Sequence, residues 1–167
     1  MRNTIEKFFA GVDKVFFVLA FLSLGGMAVL ITMQVFFRFV LNAPLAWTEE
    51  LARFGFIWST FFGGYLGARQ AQHISVELIQ DMFPKTVKKG MQSVSFFITG
   101  CFFLLIPYYL VTLWSKLCAQ TSAALNIPMN WIYLGMLIGC FFMGLSYLWD
   151  AVKLWLPEDD KTKEVKG

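Results

Sequence analysis

Four long runs without Asp, Glu, Lys, Arg or His occupy about half of this 167-residue chain: Val15–Phe37, Phe54–Ala68, Met91–Trp114 and Trp131–Trp149. A bilayer core of about 30 Å is crossed by about 20 apolar helical residues, each rising about 1.5 Å. Hydrophobic residues make up 57% of the chain and charged residues 15%, which excludes a disordered chain and disfavours a water-soluble globule. The runs predict an all-α integral membrane protein with four transmembrane helices, in a single membrane domain over residues 1–156. Ionisable groups inside a bilayer usually mark ion or proton pathways. Their absence from these runs points to a subunit that scaffolds rather than one that does the chemistry.

The placement of positive charge gives an orientation. Eleven basic residues (Arg2, Lys7, Lys14, Arg69, Lys85, Lys88, Lys89, Lys153, Lys161, Lys163 and Lys166) flank one side of the runs, and three (Arg38, Arg53 and Lys116) flank the other. The positive-inside rule then sets both termini in the cytoplasm, with the first and third connections outside. These charges flank spans and form no basic stripe, so nucleic acid is not an expected partner, whereas membrane lipid is. The first run is too long for a signal-peptide core and has no A-x-A-like site after it, so it reads as an uncleaved helix. Cys101, Cys118 and Cys140 read as unpaired packing residues.

Shorter elements fill in the rest. Ile5, Phe8, Phe9 and Val12 recur at helical spacing opposite Asn3, Glu6 and Lys7, which predicts a short interfacial amphipathic helix before the first span. A second is expected over residues 74–83, stopped by Pro84. Phe54–Ala68 is too short to cross, and extension back to Thr48 supplies the missing length. Thr48 is then the expected N-cap, Glu49 and Glu50 sit in the first turn where the helix dipole favours carboxylates, and Glu49 and Arg53 are spaced i, i+4. Trp47 is an interfacial anchor, and Asn42-Ala43-Pro44 is a turn. The spans thus run over about residues 15–37, 48–68, 91–114 and 131–149. Pro107 predicts a kink in the third, and residues 157–167 form a charged cytoplasmic tail.

Candidate functional residues are few. Gly55, Ser59, Gly63 and Gly67 keep strict four-residue spacing, a pattern that lets membrane helices approach closely. The stripe either packs the chain's own helices or meets a partner, on a face expected to lie opposite Arg53; Gly135 and Gly139 repeat the pattern more weakly. Glu49, Glu50 and Arg53 read as a cap and an ion pair, partly buried, with a second possible role in contacting a partner at the outer surface. A Na⁺ or proton pathway would need carboxylates nearer the midplane. Gln34, deep in the first span and one turn before Arg38, is expected to hydrogen-bond to another helix. No Cys/His metal spacing, catalytic constellation or phosphate loop is present, so neither an enzyme nor a bound cofactor is expected. Two other classes stay open: the membrane anchor of a respiratory enzyme, and a self-contained small four-helix exporter. The single histidine, His73, weighs against the first, and the lack of an acidic residue in any of the four uncharged runs weighs against the second.

The segment from Arg38 through Asn42, Pro44, Trp47-Thr48-Glu49-Glu50 and Arg53 resembles the hallmark of the small membrane subunit of TRAP (tripartite ATP-independent periplasmic) transporters. So do its continuation through Trp58, Gly67-Ala68 and Arg69 to Val76, and the element Leu125-Asn126-Ile127-Pro128-Met129-Asn130-Trp131 with Tyr133. The resemblance implies a bacterial inner-membrane symporter of three parts. A large membrane subunit would carry the substrate and Na⁺ sites, and a periplasmic binding protein would deliver an organic anion such as a C4-dicarboxylate or sialic acid. The small subunit would brace the large one.

Overall fold

The computed structural model describes residues 2–71 and 85–155. The second interfacial helix expected over residues 74–83 and the tail expected over 157–167 lie outside the described residues. Those described form five helices: α1 (Arg2–Phe39), α2 (Ala46–Ala71), α3 (Lys85–Thr112), α4 (Trp114–Ala119) and α5 (Met129–Lys153). Three segments, Ile5–Phe39, Lys89–Thr112 and Met129–Lys153, are long and apolar enough to cross a membrane. With 26 residues, α2 is about 39 Å long. It carries its charges at its two ends: Glu49, Glu50 and Arg53 at the start and Arg69 at the finish.

α1 corrects one expectation. The amphipathic start is not a separate helix lying in the interface but the first turns of a single 38-residue helix, about 57 Å long. Part of its apolar face meets the bundle: Phe9 is buried and Val12 packs on the core cluster, while Phe8 stays exposed. α1 ends beside Asn42, which adopts a left-handed backbone (φ 50°) that asparagine tolerates better than most residues. Ala43 N–H donates to the Phe37 carbonyl at 3.1 Å across this turn. In the third span, the helix runs through Pro107 as one element and breaks only at Leu113, where the short α4 begins.

The long helices lie in the spatial order α1, α2, α5, α3. α1 and α2 form an antiparallel hairpin, α3 and α5 are antiparallel, and α2 and α5 run parallel, pairing Trp58 with Ile132 and Gly135, then Phe61 with Gly139. Hydrocarbon supplies no hydrophobic drive between helices, so close backbone approach and hydrogen bonding hold them. α5 uses glycines on two sides. A Cβ on Gly135 would lie 2.7 Å from the Trp58 ring, and one on Gly139 would lie 2.9 Å from Phe61 Cβ. Gly144 is five residues on from Gly139, turned by about 140°, and faces α3, where a Cβ would lie 2.7 Å from Leu104. Trp58 Nε1–H also donates to the Ile132 carbonyl at 3.0 Å.

Nearer the Asp13 end, α1, α2 and α5 close around Phe16, Phe62, Tyr65 and Met143. The Phe16 ring centre is 4.8 Å from those of both Phe62 and Tyr65, and 5.4 Å from that of Phe142. At the other end α1 splays away from α5. This leaves an open apolar groove of about 390 Å³ floored by Phe54, Gly55 and Trp58.

The glycine contacts give a direct test. Gly135→Val should destabilise the isolated subunit by about 1–3 kcal/mol, the usual cost of overpacking. Gly63→Ala should be nearly neutral, because nothing lies within 4 Å of a Cβ there. Thermal unfolding of the two variants in detergent measures the difference.

Candidate functional site at the Trp47 end

Two segments that are remote in sequence meet at one end of the bundle, and the carboxylate of Glu50 joins them. Its Oε1 accepts the Ala123 N–H at 3.0 Å, and its Oε2 accepts those of Ala124 at 2.9 Å and Leu125 at 2.8 Å. The turn that presents these amides is tightly closed. Thr121 bridges Pro128, Ser122 N–H donates to the Ile127 carbonyl at 2.9 Å, and Met129 N–H donates to the Gln120 carbonyl at 2.8 Å. Ser122 is buried, its Oγ accepts the Ile127 N–H, and Asn126 takes a left-handed backbone (φ 54°). Successive N–H groups at a turn form an anion-binding concavity. Here the chain fills it with its own carboxylate.

Around this clasp stand the other residues singled out from sequence. α2 begins at Ala46, so Thr48 is not its N-cap. Thr48 lies inside the first turn, fully buried, and its Oγ1–H donates to the Leu45 carbonyl at 2.8 Å. Glu49 accepts from Arg53 at 3.4 Å and from Gln34 Nε2 of α1 at 3.3 Å, so a polar bridge ties α1 to α2. The expected partial burial of the Glu49–Arg53 pair does not hold within this chain, since the two side chains are 61% and 68% exposed. Trp47 is also exposed. Arg38 sits over the Phe39 ring at 5.7 Å and takes no part in the bridge.

The small-residue stripe is also corrected. Gly55 faces α1, where a Cβ would lie 3.0 Å from the Ser23 carbonyl oxygen, but Gly63 and Gly67 face open space and Ser59 Oγ–H bonds back to Phe56. Four residues turn a helix by about 400°, so each step drifts by about 40° and the stripe winds from the α1 contact to the outside. Gly67 therefore ends on the same side as Arg53 rather than opposite it.

At the other end, Asp13 accepts from the Tyr65 hydroxyl at 2.8 Å and from Arg69 at 3.3 Å, while Arg69 stacks over Phe9 at 4.9 Å. Lys153 pairs with Glu6 at 3.0 Å and ties α5 to α1. Sequence reasoning left out Asp13, Tyr65 and the 121–127 turn, although Arg69 and Leu125–Trp131 were part of the resemblance. Among the described residues no group of His, Cys, Asp and Glu is arranged to hold a metal ion. The charged side chains gather at the two ends, and the helices between them are closely packed. The arrangement is that of a helical membrane protein.

The chain belongs to the family described as Tripartite ATP-independent periplasmic transporters, DctQ component, which it matches over residues 27–156. It is therefore a small permease component and an inner-membrane protein. It is similar to the ectoine TRAP transporter small permease protein TeaB of Halomonas elongata, at 32% identity over 120 residues, covering 70% of this chain and 61% of the relative. A putative TRAP transporter small permease protein of Haemophilus influenzae is 29% identical over 100 residues, covering 60% of each chain. The isethionate TRAP transporter permease protein DctMQ of Oleidesulfovibrio alaskensis is 30% identical over 146 residues, 78% of this chain but 22% of the relative. The chain thus spans about three fifths of the length of the first two relatives.

The clasp has a local signature. Glu50→Gln should speed amide hydrogen exchange at Ala123, Ala124 and Leu125 while leaving exchange in the Phe16–Met143 core unchanged. Mass spectrometry of exchange in the detergent-solubilised protein reads both regions together.

Proposed function

We propose that this chain is the non-transporting scaffold subunit of a Na⁺-coupled secondary transporter for organic acid anions, of the C4-dicarboxylate or sialic acid type. The observation that carries the reading is family membership, joined to four helices whose middles hold no Asp, Glu, Lys, Arg or His. A large membrane subunit would hold the substrate and Na⁺ sites, and this chain would brace it. α2 serves as the fourth span, and both termini face the cytoplasm, in keeping with the distribution of basic residues. The Trp47 end then faces the periplasm. There the 121–127 turn offers a rigid surface to a substrate-loaded binding protein. Glu50 acts by holding the turn in shape, because its two oxygens already accept three amides. The relatives named for ectoine and isethionate select no substrate for this chain.

Reporter fusions test the orientation. A fusion at Ala124 should report periplasm and one at Lys163 cytoplasm; the reverse assignment at Ala124 would reject the topology.

Reconstitution into proteoliposomes tests the scaffold role. Uptake should require this chain, the large subunit, the binding protein and a Na⁺ gradient together. Uptake by this chain alone would overturn the reading. In the same assay Ala124→Arg, on the exposed part of the turn, should lower uptake at unchanged complex yield.

A further inference from the structure

α1 packs on one side of α2 and α5 on another, and a third side is left uncovered. On it Glu49, Arg53, Phe56, Thr60, Gly63 and Gly67 are all exposed, at successive intervals of four, three, four, three and four residues. That is a repeat of about 3.5, the period of a seam along which a second helix can lie at a small crossing angle. Its composition sets it apart from the other uncovered faces. α1 exposes Val15, Phe17, Val18, Phe21 and Leu24, and α3 exposes Val94, Phe97, Ile98, Phe102 and Leu105, all large apolar groups that lipid chains solvate well. The α2 seam instead begins with an ion pair, presents one aromatic ring, and ends in small residues beside which a Cβ would meet nothing within 4 Å.

Lipid is a poor occupant for such a face. Arg53 makes one long contact, to Glu49 at 3.4 Å, out of its five N–H donors, and so keeps donors for an acceptor on a partner. Glycines on a lipid-facing surface forfeit side-chain contact, whereas the same glycines under a partner helix allow close backbone approach. We infer that this face of α2 is the seat of a membrane-spanning helix of the large subunit. Such a helix would bring a hydrogen-bond acceptor or carboxylate opposite Arg53 and lay its backbone against Gly63 and Gly67. The inference rests on the reading of the chain as a small permease subunit. A large subunit is favoured over a second copy because, in the relative DctMQ, the part similar to this chain is 22% of one longer permease polypeptide. There the small-subunit part is covalently joined to the remainder.

Site-specific photocrosslinking within the co-purified complex tests the seat. p-Benzoylphenylalanine at Phe56 or Thr60 should yield a covalent product with the large subunit, and the same group at Phe102 on α3 should not. Crosslinking only from Phe102, crosslinks only between copies of this chain, or a co-purifying complex with no protein crosslink from Phe56 or Thr60 would each overturn it. A paired substitution gives a second readout. Gly63→Leu with Gly67→Leu should reduce the co-purified large subunit several-fold while the isolated chain keeps its unfolding temperature; Gly25→Leu, on an open face of α1, should change neither. Recovery equal to wild type in the double variant would also overturn the seat. If no large subunit co-purifies with the wild-type chain, the proposed function itself fails, an outcome distinct from a misplaced face.

Discussion

The close approach of α5 to α2 is the constraint on which the remaining geometry depends. Gly135 lies under the Trp58 ring and Gly139 under Phe61, and any side chain at either position would collide with them. The Trp58 indole also spends its only donor on the Ile132 carbonyl. In water such a contact would be one among many apolar burials. In a bilayer, where lipid and leucine are nearly equivalent solvents, it is the kind of interaction that can select one arrangement of helices over others. With α2 and α5 so fixed, α1 follows through its hairpin and α3 through the Gly100–Gly144 contact, giving the order α1, α2, α5, α3.

Polar groups reinforce this packing at the two ends, where water is near and charge is tolerable. At one end Glu50 gathers three amides of the 121–127 turn, and Glu49 joins Gln34 to Arg53. At the other, Asp13 holds Tyr65 and Arg69, and Glu6 holds Lys153. Between these belts the helices meet through aromatic rings and glycine. A frame braced at both rims and packed through rings and glycines between them resists shear between its helices.

Much of the fold was legible because its strongest determinant is local. Uncharged runs of helix-spanning length located α1, α3 and α5, and capping logic extended α2 back to within two residues of its start at Ala46. The amphipathic pattern at Ile5–Val12 was read correctly as helical but assigned to lipid, since periodicity reveals an apolar face without naming what covers it. The same limit applies to the glycines. The stripe in α2 followed the stricter spacing, yet only Gly55 meets a neighbouring helix, while the less regular set in α5 makes the tight contacts. Glu50 was visible as a carboxylate in a first turn, but its partners lie 73 to 75 residues onward. Asp13, Tyr65 and Arg69 pair across 52 and 56 residues, and no local pattern encodes such a meeting.

The parallel pairing of α2 with α5 bears on how the protein is made. The partners Trp58 and Ile132 are 74 residues apart, so α2 leaves the ribosome long before the helix it packs on exists. Until α5 arrives, the hairpin of α1 and α2 must persist with Trp58 unpaired, and the Glu50 carboxylate must wait without its turn. α5 then has to settle between two helices already made, α2 on one side and α3 on the other. Native packing of α2 therefore waits for α5. A chain that stopped short of the 121–127 turn would leave the Glu50 carboxylate without the three amides that hold it.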